Sequence, residues 1–138
     1  MIMKEITIEA AVENIEVVTD FITAELESVG CPIKALTQIS IAIDELFGNI
    51  AKYAYSPDVG KATVQLAVED EPLSVIITFI DNGRPFDPLR HAEPDVHASA
   101  DDRTPGGLGI YLVKKTMDLV EYEYNNGRNI LKIKKKIS

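Results

Sequence analysis

The 138-residue chain has a single cysteine, Cys31. One cysteine excludes an internal disulfide framework and a cysteine metal cluster. With Pro32 beside it, the thiol reads as a small residue in a loop. No apolar run approaches the roughly 20 residues that a membrane-spanning helix needs, so no membrane partner is expected. The opening residues, MIMKEITIEA, lack the basic-then-apolar form of a signal peptide, and a cytoplasmic location is expected. Positive charge is also short. Fourteen Lys and Arg against 22 Asp and Glu give a net charge of −8. That argues against direct nucleic-acid binding, because phosphate backbones reward basic surfaces. A polyanionic ligand would have to be held by local devices, such as a metal ion, backbone N–H groups or a helix N-terminus. Repeats and low-complexity linkers are missing too. What remains is an ordinary globular composition and one domain, residues 1–138.

Residues 3–9 alternate apolar and polar, as a half-buried strand does. From Val12 to Val29 the apolar positions Ile15, Val18, Ile22, Leu26 and Val29 recur every three or four residues, the pattern of an amphipathic helix. Gly30 and Pro32 punctuate it. A second helix is predicted over about 33–55, with Ile39, Ile43, Leu46, Ile50 and Ala54 on its apolar side. Two strands, near 61–69 and 73–80, are joined by a turn at Asp70, Glu71 and Pro72. Residues 81–105 then lose all periodicity and hold four prolines and both histidines. A structureless stretch of this length is usually a lid, a binding loop or an insert. A helix from about Gly106 to Asp118 follows. Two strands joined around Gly127 finish the chain. In the last of them Leu131, Ile133 and Ile137 alternate with Lys132, Lys134 and Lys136, which places one face on the core and a lysine row in water, a row that would also guard against edge aggregation. The predicted fold is α+β: a two-layer α/β sandwich with a mixed, mainly antiparallel sheet covered on one face by three helices.

Three stretches carry chemistry. In IAIDELFGNIAKYAY (41–55), Glu45 and Asn49 lie one helical turn apart on one face. Alone, such a pair is a solvated helix face. With a ligand, a carboxylate and an amide oxygen suit a hard cation such as Mg²⁺. In IDNGRPFDP (80–88), Asp81 and Gly83 end an apolar strand. Asn82-Gly83 would make a hairpin turn, but the prolines that follow suit a partner strand poorly. The other reading gives Asp81 a ligand amino group and has Gly83 admit the ligand closely. In TPGGLGIYLV (104–113), Gly106, Gly107 and Gly109 sit where a helix begins, either as a hinge or as an anion cradle at a helix N-terminus. The pattern is neither a Walker loop nor a dinucleotide fingerprint. Together the three stretches make an inventory for a Mg-nucleotide. Arg103 is placed either to reach a phosphate or to sit in a solvated loop, and one of Lys114 and Lys115 can face the ligand. His91 and His97, with the acidic residues around them, fit no zinc spacing.

In order and spacing these motifs resemble the gyrase, histidine-kinase and mismatch-repair type of ATPase, the Bergerat ATP-binding fold. Nearly the whole chain is similar to the small bacterial anti-sigma-factor serine kinases. Glu45-x-x-x-Asn49 resembles the N box, Asp81-x-Gly83 the first glycine box, and Gly107-Leu108-Gly109 the second. The resemblance implies ATP and Mg²⁺ as cofactors. It implies that Asn49 ligates the metal, Asp81 accepts the adenine amino group, Gly106, Gly107, Leu108 and Gly109 hold phosphate, residues 87–105 form an ATP lid, and Glu45 is the general base. It further implies a homodimer that sequesters a sigma factor and phosphorylates a serine of an anti-sigma antagonist protein. The alternative is an ATP/ADP-gated binding module without phosphotransfer. Two positions depart from the pattern. Tyr53 stands where many relatives have histidine, and the last strand lacks the threonine often found near adenine, leaving Asn129 as the nearest polar candidate.

Overall fold

A computed structural model describes residues 2–90 and 107–137. The sheet is built from β1 (Ile2–Glu9), β2 (Lys61–Glu69), β3 (Ser74–Asp81), β4 (Leu119–Asn125) and β5 (Arg128–Lys136), in the order β1-β2-β3-β5-β4. Every pairing is antiparallel, so the sheet is not mixed. Its inner face is the period-2 set of each strand. Ala62, Val64, Leu66 and Val68 of β2, Val75, Ile77 and Phe79 of β3, and Leu131 and Ile133 of β5 are all buried.

Three helices cover that face: α1 (Ile15–Ser28), α2 (Ile33–Asn49) and α3 (Gly107–Thr116). α1 buries Val18, Ile22 and Leu26, one residue per turn. A single 3₁₀ turn, Val12–Asn14, precedes it, so the regular helix starts three residues later than the periodicity predicts. Gly30 closes it at φ +77°, a conformation a side chain would strain. α2 buries Ala35, Ile39, Ala42, Ile43, Leu46 and Phe47. The expected run to Tyr55 does not stay α-helical. After Asn49 the chain continues as one π-helical stretch, Ile50–Ala54, a local widening often found at functional sites.

Two strand-level expectations change. Asp81 belongs to β3 and keeps the inward parity of Val75, Ile77 and Phe79, so its carboxylate faces the helix layer. The lysine row does not guard an edge. β5 lies between β3 and β4, and the edges are β1 and β4. Lys132 and Lys134 stand on the uncovered face of the sheet, opposite the buried Leu131 and Ile133 as the alternation predicts, and Lys134 Nζ reaches across β3 to within 3.8 Å of Glu69. The turn between β4 and β5 is Asn126-Gly127, with φ +53° and +77°, the two positive values a tight two-residue hairpin requires.

Candidate functional site

β3 and β5 meet in register at Asp81 and Asn129, and the side chains of both point toward the helix layer. Both are almost fully buried, at 4% and 5% exposure. Asp81 Oδ1 accepts two hydrogen bonds, from Gly83 N (2.9 Å) and Asn129 Nδ2 (2.9 Å). Burial raises the Asp81 pKa above the ordinary carboxylate value, and those two donors pull it partly back. Asn129 is satisfied on both ends. Its Nδ2 also donates to Arg84 O (2.8 Å), while its Oδ1 accepts from Phe86 N (3.0 Å) and the Tyr122 hydroxyl. A narrow cleft opens beside this pair, lined by Ile50, Ala54, Phe79, Phe86, Tyr122 and Leu131, with Asn49 and Asp81 among its polar groups. Flat apolar walls with one acceptor carboxylate suit a planar ring bearing an amino group.

The hairpin reading of Asn82-Gly83 fails, because the next neighbour of β3 is β5, far along the chain. Gly83 is small for a reason other than ligand approach. A Cβ there would lie 2.3 Å from the Ala54 carbonyl oxygen. The same carbonyl accepts Arg84 N at 3.0 Å. The π-helical stretch thus ends by docking its last carbonyl onto the strand exit. Tyr55 fastens the same corner. Its hydroxyl donates to Lys61 O (2.6 Å) and accepts from Asn82 N (2.8 Å).

Glu45 and Asn49 share a face of α2, as their spacing predicts. Burial raises the Glu45 pKa, and the nearby Asn49 amide and the Lys52 charge offset part of the rise. Oε1 of Glu45 is buried without a hydrogen-bond partner among the described residues. An orphaned carboxylate oxygen costs free energy unless a ligand, ion or water meets it. Its neighbour is the first turn of α3, where a Cβ on Gly109 would fall 2.1 Å from Glu45 Oε2. Gly109 is therefore the gap that admits the carboxylate, and α2 and α3 bring together what lies 64 positions apart in sequence.

Gly107 and Leu108 lie in the first turn of α3, where backbone N–H groups have no acceptor within the helix itself. Gly106, Arg103 and the histidines fall outside the described residues, as does the predicted lid beyond Arg90. Its described beginning forms a short 3₁₀ turn, Pro88–Arg90. Of the two lysines, Lys114 donates to Leu89 O (3.2 Å), tying α3 to that turn, and Lys115 lies over the Tyr111 ring. Among the described residues no three His, Cys, Asp or Glu side chains gather as a metal cluster, and no helix is long and apolar enough to cross a membrane. Sequence reasoning missed Tyr55, Phe86 and Tyr122. Tyr122 was within reach of it: the alternation of β4 puts Tyr122 on the same face as Val120.

A match to the histidine kinase-like ATPase domain runs from residue 8 to residue 135. The chain belongs to that family. It is 30% identical over 93 residues to the serine/threonine-protein kinase BtrW of Bordetella bronchiseptica, covering 67% of this chain but 65% of that one, just under two thirds of its length. It is 27% identical over 134 residues to the serine-protein kinase RsbW of Bacillus cereus, covering 94% of this chain and 82% of the relative. In structure it is similar to the RsbU and RsbW domains of Rv1364c from Mycobacterium tuberculosis. The TM-score is 0.72 at 16% identity, over 99% of this chain and 33% of that one. A histidine kinase domain from Erythrobacter litoralis superposes with a TM-score of 0.53 over 77% of this chain. These two likenesses bear on the fold, and they agree with the α+β sandwich read from the sequence.

Proposed function

We propose that the protein is an ATP-dependent protein serine kinase that also acts as an anti-sigma factor, holding a sigma factor and phosphorylating a serine of its antagonist protein. One observation carries the reading: the Glu45 carboxylate, with its orphaned Oε1, sits between Asn49 and the first turn of α3. Membership of the ATPase family and similarity to two serine kinases support it.

In this reading the cleft beside Asp81 receives adenine, whose amino group donates to the carboxylate. The N–H groups at the start of α3, from Gly107 to Gly109, face the phosphates. Asn49, with Glu45 beside it, is the donor set for Mg²⁺, which would neutralise phosphate charge. Glu45 takes the proton of the attacking serine hydroxyl as its oxygen bonds to the γ-phosphorus and ADP departs. A carboxylate whose pKa is raised by burial is a stronger base than a solvated one. Arg103 and Gly106 are proposed as further phosphate contacts. The assembly is proposed to be a homodimer acting in the cytoplasm.

Calorimetric titration with Mg-ATP tests the first half of the reading, and absence of binding refutes it. Transfer of label from γ-labelled ATP to a partner serine, lost in Glu45→Ala, tests the second half. Nucleotide-dependent partner capture without label would identify a gated binding module instead.

A further inference from the structure

The hydrogen bonds around Asn129 run in one direction only. Its Nδ2 faces two acceptors, Asp81 Oδ1 and Arg84 O, and its Oδ1 faces the Phe86 N–H and the Tyr122 hydroxyl. Turning the amide by 180° would set oxygen against oxygen and NH₂ against N–H. The orientation is therefore forced by a backbone N–H, a backbone carbonyl and a carboxylate. The consequence passes to residue 81. Two donors, Gly83 N and Asn129 Nδ2, converge on Asp81 Oδ1, each at 2.9 Å. Whatever occupies that atom's place must accept. The other carboxylate oxygen, Oδ2, has no donor among the described residues and remains for a ligand in the cleft that Asp81 lines.

We propose that Asn129 is a positioning residue that fixes which atom of residue 81 faces the ligand, and thereby sets a preference for 6-amino over 6-oxo purines. The inference rests on the nucleotide reading above and adds a prediction of its own. In Asp81→Asn the same two donors must still meet an oxygen. The new amide nitrogen is then compelled to stand where Oδ2 stood, a donor facing the cleft. A 6-amino purine meets donor with donor, whereas a 6-oxo purine offers an acceptor. The substitution should invert the preference rather than merely weaken binding.

The test compares calorimetric affinities for Mg-ATP and Mg-ITP, which share ribose and phosphates and differ at the base. The wild-type protein should favour ATP by about ten- to a hundredfold, the range of one hydrogen bond to a charged group made or left unmade. Asp81→Asn should favour ITP. Adding Asn129→Val, which removes one of the two donors and leaves Gly83 N, should shrink the inversion severalfold. A purely structural Asn129 would lower stability in both backgrounds and leave the ratio alone, which circular-dichroism melting separates from the effect on the ratio. The proposal is overturned if Asp81→Asn still prefers ATP, or if the inversion persists undiminished with Asn129→Val. Should the Val variant not fold, Asn129→Ala, which also withdraws the amide donor, carries the same comparison. Wild-type protein that binds neither nucleotide refutes the nucleotide reading itself, and the inference with it.

Discussion

Replacing Gly83 by alanine asks why a glycine stands there. If the residue only admits a ligand, the unliganded protein should tolerate a methyl group. The packing predicts otherwise. The added Cβ would lie 2.3 Å from the Ala54 carbonyl oxygen and 2.7 Å from both the Ala54 carbonyl carbon and Cβ. Comfortable heavy-atom contacts start near 3.5 Å, so the overlap is about 1 Å against backbone that cannot swing aside as a side chain can. The backbone angle at Gly83 is not left-handed, which leaves sterics as the cause. Overpacking of this kind costs about 1–3 kcal/mol. Prising Ala54 away also lengthens the 3.0 Å bond from Arg84 N to Ala54 O, worth about 1 kcal/mol. The sum is about 2–4 kcal/mol. At roughly 3–4 °C per kcal/mol for a domain of this size, the melting temperature should fall by about 6–15 °C. The assay is thermal melting without nucleotide. A melting temperature within about 1 °C of wild type would refute the packing argument and return Gly83 to the ligand.

Three further outcomes follow from the same geometry. Asp81 has a pKa raised by burial, so its folded-state stability is fully present below the unfolded value near 4 and is lost as pH rises through the folded value. Melting temperatures of Asp81→Asn minus wild type should therefore grow between about pH 4 and pH 7, and a gap that shrinks contradicts the sign. Gly109→Ala places a methyl group 2.1 Å from Glu45 Oε2. Because the flexible end of a side chain can yield, it should cost under about 2 kcal/mol in urea unfolding, while the proposed phosphotransfer falls about tenfold or more; equal transfer rates would detach Gly109 from the placement of the proposed base. Phe47→Ala empties a fully buried ring position between helices and sheet and should cost about 3–5 kcal/mol in urea denaturation; a loss below 1 kcal/mol would mean the core collapses around it.

The helices and strands were legible wherever one face is buried, since burial imposes period 3.6 or period 2 on the residues themselves. Val18, Ile22 and Leu26 announce α1, and the spacing of Glu45 and Asn49 already puts them together. What stayed hidden is what a distant segment decides. Nothing local tells Gly83 that the Ala54 carbonyl will dock on it, or tells Gly109 that it must clear Glu45. The lysine alternation of β5 looks the same on an edge strand as on the open face of an inner one, and only strand order separates them. Asn129 drew notice only as the nearest polar candidate in a last strand without threonine. Its pairing with Asp81 depends on a register between strands 48 positions apart. The π-helical stretch after Asn49 has no period of its own to betray it.

The strand order carries a consequence for how the molecule comes into being. Residues up to Asp81 already hold β1, β2 and β3 with α1 and α2, the β1–β2 pairing joining residues as far apart as Ile2 and Val68. The seam between β3 and β5 cannot close until the final hairpin has left the ribosome, and until then β3 is an unpaired edge with Ile77 and Phe79 uncovered on one side. Asp81 meets Asn129 only along that seam. A chain in which β5 has not yet closed on β3 therefore holds only one side of the cleft beside Asp81, and binding of a ligand there becomes a report that the sheet has closed.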